Sequence, residues 1–79
     1  MNFFDTLEWH GKSRQMLDKI IEGTPKLFRG MLTSKIEQWA KDQGLTEIYE
    51  TTVFQAVEEL APPNLQAKIL PELQRMQNS

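Results

Sequence analysis

His10 and Ser13 stand three residues apart, a spacing that puts an imidazole and a hydroxyl on one face of a helix. There the ring can act as base for the hydroxyl. A working pair also needs a carboxylate that orients the ring, and the local sequence positions none. The pairing is read as chance. His10 is the only histidine, and the chain has no cysteine, so a metal site there needs carboxylates such as Asp5 or Glu8. It is read as a surface histidine. Glu47 with Glu50 and Glu58 with Glu59 are close carboxylate pairs, raw material for acid–base catalysis where burial splits their pKa values. Glu58 and Glu59 fall off the apolar stripe of their segment, on a face that solvent should hold charged. The four glycines are scattered and form no phosphate-cradling loop. The sequence therefore predicts no catalytic residue, no cofactor, no metal ligand and no enzyme.

Two arrangements remain as candidates for binding. Lys12, Lys19, Lys26, Arg29 and Lys35 could attract an anion, but Asp18, Glu22 and Glu37 interleave with them. Nine basic against eleven acidic residues leave a net charge of −2, which argues against non-specific attraction to nucleic acid or anionic lipid. The other arrangement is aromatic. Trp39 and Phe28 are read as core anchors. Trp9, Tyr49 and Phe54 fit either a core or a face that stacks on a planar ligand.

These residues must be positioned by a small frame. Seventy-nine residues make one domain with no room for a second core. A chain this short gains only a few kcal/mol of net stability, and no disulfide is available to staple it. A partner surface would add stability. No apolar run approaches the roughly 18–20 residues that span a bilayer. The Met1–Asp5 segment lacks the basic and apolar parts of a signal peptide. A cytoplasmic protein is expected, with peripheral membrane association as a further option.

The pattern predicts an all-α fold: a compact three-helix core with the second helix longest, plus a shorter C-terminal helical segment. Residues 1–8 form an N-terminal arm carrying Phe3, Phe4 and Leu7. It either folds back over the core or presents an aromatic hook to a partner. A first helix from Trp9 to Glu22 carries Met16, Leu17, Ile20 and Ile21 on one face. Gly23 ends it in the left-handed conformation, and Thr24-Pro25 start the next as N-cap and first helical residue. The second helix, Pro25–Gln43, has the stripe Leu27, Phe28, Met31, Leu32, Ile36, Trp39 and Ala40. Gly30 interrupts it, which predicts close approach of another element. Gly44 ends it. A short extended connector, Leu45–Glu50, points Ile48 inward. A third helix over Glu50–Leu60 buries Val53, Ala56, Val57 and Leu60, and Pro62-Pro63 stop it. Residues 61–79 form an extension, capped by Asn64, with a helix over Leu65–Leu70 and a kink or restart at Pro71 before Leu73 and Met76.

The order Trp9, Met16-Leu17, Pro25, Phe28-Arg29-Gly30, Ile36-Glu37, Ala40, Gly44, Ile48, Val53 and Ala56 resembles a known family. It is the small helical domain at the C-terminus of the B subunit of light-independent protochlorophyllide reductase, also found as short stand-alone proteins. The resemblance covers residues 9–60. Ile21-Glu22-Gly23-Thr24 looks like an insertion before the proline, and Tyr49 stands where a capping threonine is usual. The resemblance implies kinship with an accessory domain of the tetrapyrrole pathway. It does not imply reductase activity, because the catalytic body of that subunit and its cluster ligands are missing.

The leading expectation is a non-catalytic interaction module that docks on a larger protein complex in chlorophyll biosynthesis or photosynthetic assembly. Phe3, Phe4, Arg29, Leu70 and Leu73 are its candidate partner-binding residues. One alternative is a nucleic-acid-binding helical protein. Another is an accessory piece of a protochlorophyllide reductase, or a tetrapyrrole-binding protein.

Overall fold

A computed structural model describes residues 2–78. A single 3-10 turn over Phe3–Thr6 leads into strand β1 (Glu8–Trp9), helix α1 (Ser13–Glu22), helix α2 (Lys26–Asp42), strand β2 (Glu47–Ile48), helix α3 (Glu50–Leu60) and helix α4 (Pro63–Asn78). Among the described residues the fold is all-α apart from the one β1–β2 pair, and α2 is the longest helix. Among the described residues, no helix is long and apolar enough to cross a membrane.

The first helix starts four residues later than its sequence pattern suggests. Trp9 lies in β1, which pairs in parallel with β2, Glu8 opposite Glu47 and Trp9 opposite Ile48. Gly11, at φ +59°, turns the chain from this strand into α1, and a Cβ there would meet the Glu50 carboxylate at 2.6 Å. That carboxylate accepts the Lys12 backbone N–H at 2.9 Å. A carboxylate on an orphan N–H at a helix start also suits the helix dipole. Gly11 thus combines a left-handed backbone with close approach of α3.

The turn between α1 and α2 closes differently from expectation. Gly23 ends α1 with an ordinary right-handed backbone, φ −75°. Thr24 is buried, and its hydroxyl donates back to the Ile20 carbonyl at 2.8 Å, so it finishes α1 instead of capping α2. Pro25 takes the N-cap position. The far end of α2 behaves as read. Gly44 is left-handed at φ +67°, with Leu45 N–H donating to Ala40 O and Gly44 N–H to Lys41 O, both at 3.0 Å. These two bonds make a Schellman motif.

Tyr49 precedes α3 without a capping side chain, yet the turn is closed because its N–H donates to Thr52 Oγ1 at 3.1 Å. Helix α3 has the bounds read from the sequence, with Val53, Ala56 and Val57 buried. Gln66 of α4 then donates to two α3-end carbonyls, Ala61 O at 2.7 Å and Glu58 O at 3.2 Å. Helix α4 begins at Pro63, not after Asn64, and runs unbroken through Pro71. Pro71 is exposed while Ile69, Leu70, Leu73 and Met76 pack inward on either side of it. Packing on both flanks offsets the one ladder bond that proline removes.

One core gathers Phe4, Leu7, Met16, Leu17, Ile20, Ile36, Ile48, Val53, Val57 and Leu73. It draws on the N-terminal arm, all four helices and β2. The arm folds back, and α4 closes the other side against α1 and α3. Among the described residues, no buried side-chain nitrogen or oxygen lacks a hydrogen-bond partner.

Helix α2 departs most from its sequence pattern. Ile36 and Ala40 are buried, but Leu27 is 85% exposed, Met31 55% and Phe28 48%. At about 100° per residue, the seven apolar positions sweep roughly 220°, twice the width one core can cover. Ile36 and Ala40 take one edge inward, which leaves Leu27 and Met31 facing solvent. Phe28 is therefore not a core anchor. Gly30 shares the outer face, and a Cβ there would meet nothing within 4 Å, so no element of this chain approaches it. Gly30→Ala should therefore stabilise the fold by about 0.5–1 kcal/mol, read as a higher urea midpoint. A loss of stability would show that the backbone there needs glycine.

Candidate functional site

Three places on the molecule have the chemistry for a site. The first is internal. A cavity of about 40 Å³ lies among Phe4, Trp9, Leu17, Ile36, Ile48 and Val57. Ligand pockets for drug-sized molecules run to roughly 300–1,000 Å³, so a tetrapyrrole does not fit inside this core. A planar pigment would have to lie on the outside.

The second place is the outer face of α2. Leu27, Phe28 and Met31 form its apolar part, with Gly30 and Ser34 beside them and Lys26 and Lys35 toward the two ends, all exposed. The helix is fixed beneath this face by Ile36 and Ala40 and at its start by Arg29. The Arg29 guanidinium donates to Thr24 O at 2.9 Å through Nε and to Glu22 O at 3.0 Å through Nη2. Arg29, predicted as a partner contact, thus closes the α1–α2 turn. Two of its N–H groups thus take carbonyls at and just past the end of α1.

The other predicted contact residues divide by burial. Phe4 (3% exposed) and Leu73 (0%) are core residues, and the folded chain offers neither to a partner. Phe4 is held by the arm's own turn, and Leu73 faces the α1–α3 side of its helix. Phe3 and Leu70 are half-buried against the core; the Lys41 ammonium lies over the Phe3 ring, 5.1 Å from its centroid. The aromatic hook is not presented.

The third place is the open end of the β1–β2 pair. His10 Nε2 lies 3.1 Å from Glu47 Oε1 and 3.9 Å from Glu8 Oε2. The ring stacks on Tyr49 with centroids 4.5 Å apart and planes 8° from parallel. Of the carboxylates suggested by the sequence, Glu8 converges on His10, and Glu47 joins it from 37 residues away. Ser13 does not join. Its hydroxyl is buried and donates to Ile48 O at 3.1 Å, so the His10–Ser13 pair is not formed. The Glu47–Glu50 pair is split as well, since Glu50 serves the start of α1. Glu58 and Glu59 are exposed, and Glu59 accepts from the Trp39 indole N–H at 2.9 Å.

Sequence reasoning missed the part played by Glu47. The only available signal was alternation: in an extended connector with Ile48 inward, Glu47 must point outward. Compared with protein-family models, curated proteins and solved structures, the chain finds no match in any of the three. None of them links the chain to the protochlorophyllide reductase domain, whose resemblance stays an expectation from the residues quoted above.

Proposed function

We propose that this chain is a non-catalytic docking module and that the outer face of α2 is the surface it docks with. One observation carries the reading: Leu27, Phe28 and Met31 are exposed on one side of a helix whose other side buries Ile36 and Ala40. A contiguous exposed apolar face on a small chain marks an interaction site more often than chance scatter. Gly30 lies beside this face, just past Leu27, with open space above it, so a partner backbone can come close along that edge. Lys26 and Lys35 at the margins favour a partner helix whose apolar stripe is edged by carboxylates. The resemblance of residues 9–60 to the reductase-associated domain makes a chlorophyll-biosynthetic or photosynthetic assembly the first partner to test.

The test uses the light-independent protochlorophyllide reductase components as bait and a photo-crosslinking residue at position 31. A defined adduct is expected from Met31 and none from the same group at Gln15, on the exposed face of α1. The Leu27→Asp/Met31→Asp variant should lose co-elution with the partner by at least tenfold, because a charge buried at the centre of an interface costs several kcal/mol. Its helicity and melting temperature should stay near wild type, since both positions face water. Equal capture of wild type and variant would remove α2 as the docking face. Turnover of the reductase unchanged by the added chain would count for a docking role over an accessory catalytic one.

A further inference from the structure

Two carboxylates and one imidazole are brought together by backbone pairing, not by side-chain chance. Glu8 and Glu47 are register partners across the parallel strands, an arrangement in which like charges face each other and repel. The Glu8 N–H donates to Thr46 O and the His10 N–H to Ile48 O, each at 2.9 Å. The backbone carrying all three side chains is thereby fixed. Tyr49 backs the imidazole face to face and restricts the plane in which Nε2 can point. The donor atoms of Glu8, His10 and Glu47 all lie within 4.8 Å of one another. Around a tetrahedral ion with bonds of about 2.0–2.1 Å, ligand atoms are about 3.4 Å apart. The 3.1 Å and 3.9 Å separations from His10 Nε2 bracket that value, so small rotations of two glutamates complete the set.

We propose that Glu8, His10 and Glu47 form a three-ligand site for a divalent ion of the zinc class. The imidazole selects against calcium and magnesium, which favour all-oxygen shells, and one nitrogen with two carboxylates suits zinc. The ion cancels the repulsion between the paired carboxylates. It also ties the N-terminal segment to the α2–α3 connector, and leaves a coordination position for water or a donor from another molecule. Glu50 does not compete for it, because its carboxylate is held at the Lys12 N–H. This site is separate from the α2 face, and its test is independent of docking.

The chain is well suited to the experiment, having one histidine and no cysteine, so the imidazole ring signals in an NMR spectrum belong to His10. Zinc chloride titrated into the whole chain should shift those signals and saturate at one ion per chain in the micromolar range, while magnesium chloride leaves them unmoved. Zinc should raise the melting temperature of wild type but not of His10→Gln. Glu8→Gln and Glu47→Gln should each weaken zinc binding by about tenfold or more, and Glu58→Gln, near the other end of α3, should bind as wild type does. All four substituted positions lie at the surface, and circular dichroism confirms that the variants fold. Ring signals that stay in place at submillimolar zinc would overturn the proposal. Zinc binding of equal strength in wild type, Glu8→Gln and Glu47→Gln would overturn it too, by reducing it to an ordinary imidazole contact.

Discussion

Replacing Leu73 with alanine should destabilise the chain by about 3–4 kcal/mol and lower its melting temperature by roughly 15–25 °C. Leu73 has no exposed surface and belongs to the common core. Its neighbours in that core come from other elements, so the hole left by truncation cannot close by moving one side chain. Leucine-to-alanine changes at such sites cost the transfer energy of the lost atoms plus a cavity term. A domain of this size has a total stability of only a few kcal/mol, so the loss is a large share of the whole. Leu73→Asp goes further and should abolish cooperative unfolding at 25 °C. Leu70→Ala, at a half-buried position one turn earlier, should cost no more than about half as much. Urea melts followed by helical circular dichroism measure all three. A Leu73→Ala midpoint within error of wild type would mean that α4 is an appendage and not a wall of the core. The contrast with Leu27→Asp/Met31→Asp matters for function: one set of apolar residues holds the fold, and the other is free for a partner.

How far the sequence reveals this depends on how local the cause is. Helix α3 was legible from end to end because its stripe, Val53, Ala56, Val57 and Leu60, is narrow and Pro62-Pro63 mark its end. The Gly44 stop was legible for the same reason: a Schellman motif is made by residues within one turn. Thr24 was misread because two local bonds compete for its hydroxyl. The one back to Ile20 O won once the residue was buried and Pro25 took an extended backbone. On α2 the individual spacings of three and four were correct, but their sum was too broad for one face. The excess fell outside as Leu27, Phe28 and Met31, where it became the candidate docking surface. An overfull stripe is therefore a signal in its own right.

The strand pair was not legible. Two residues give no period, and Trp9 next to His10 reads equally well as the first turn of a helix. With β1 unseen, the register that sets Glu8 beside Glu47 was unseen too, and the convergence on His10 could not be derived from spacing. Long-range pairing is decided by which segments close the core, here by Leu7 and Ile48 being buried together. The chemistry at that end of the molecule is thus a by-product of packing, and only three-dimensional placement exposes it.

That same packing leads to the second large effect, at the N-terminal arm. Phe4→Ala should cost about 3–4 kcal/mol, while Phe3→Ala should cost under about 1.5 kcal/mol. The two rings are adjacent in sequence and differ in what surrounds them. Phe4 is 3% exposed, lies 6.2 Å from the Trp9 ring at 63°, and accepts the Trp9 indole N–H on its own carbonyl at 2.8 Å. Its N–H donates to Asn2 Oδ1 at 3.0 Å, which caps the start of the arm's 3-10 turn. The Arg14 guanidinium lies 5.0 Å from the Trp9 ring centroid and 6.0 Å from that of Phe4, closing the outside of this aromatic pair. Removing the Phe4 ring takes away the surface on which β1 rests. Besides the lower urea midpoint, Trp9 emission in a Trp39→Phe background should therefore shift to the red as water reaches the indole. An arm that merely covers a finished core would behave otherwise: Phe4→Ala would then match Phe3→Ala in both midpoint and emission. An unequal response would identify residues 2–9 as part of the fold that holds His10 in place.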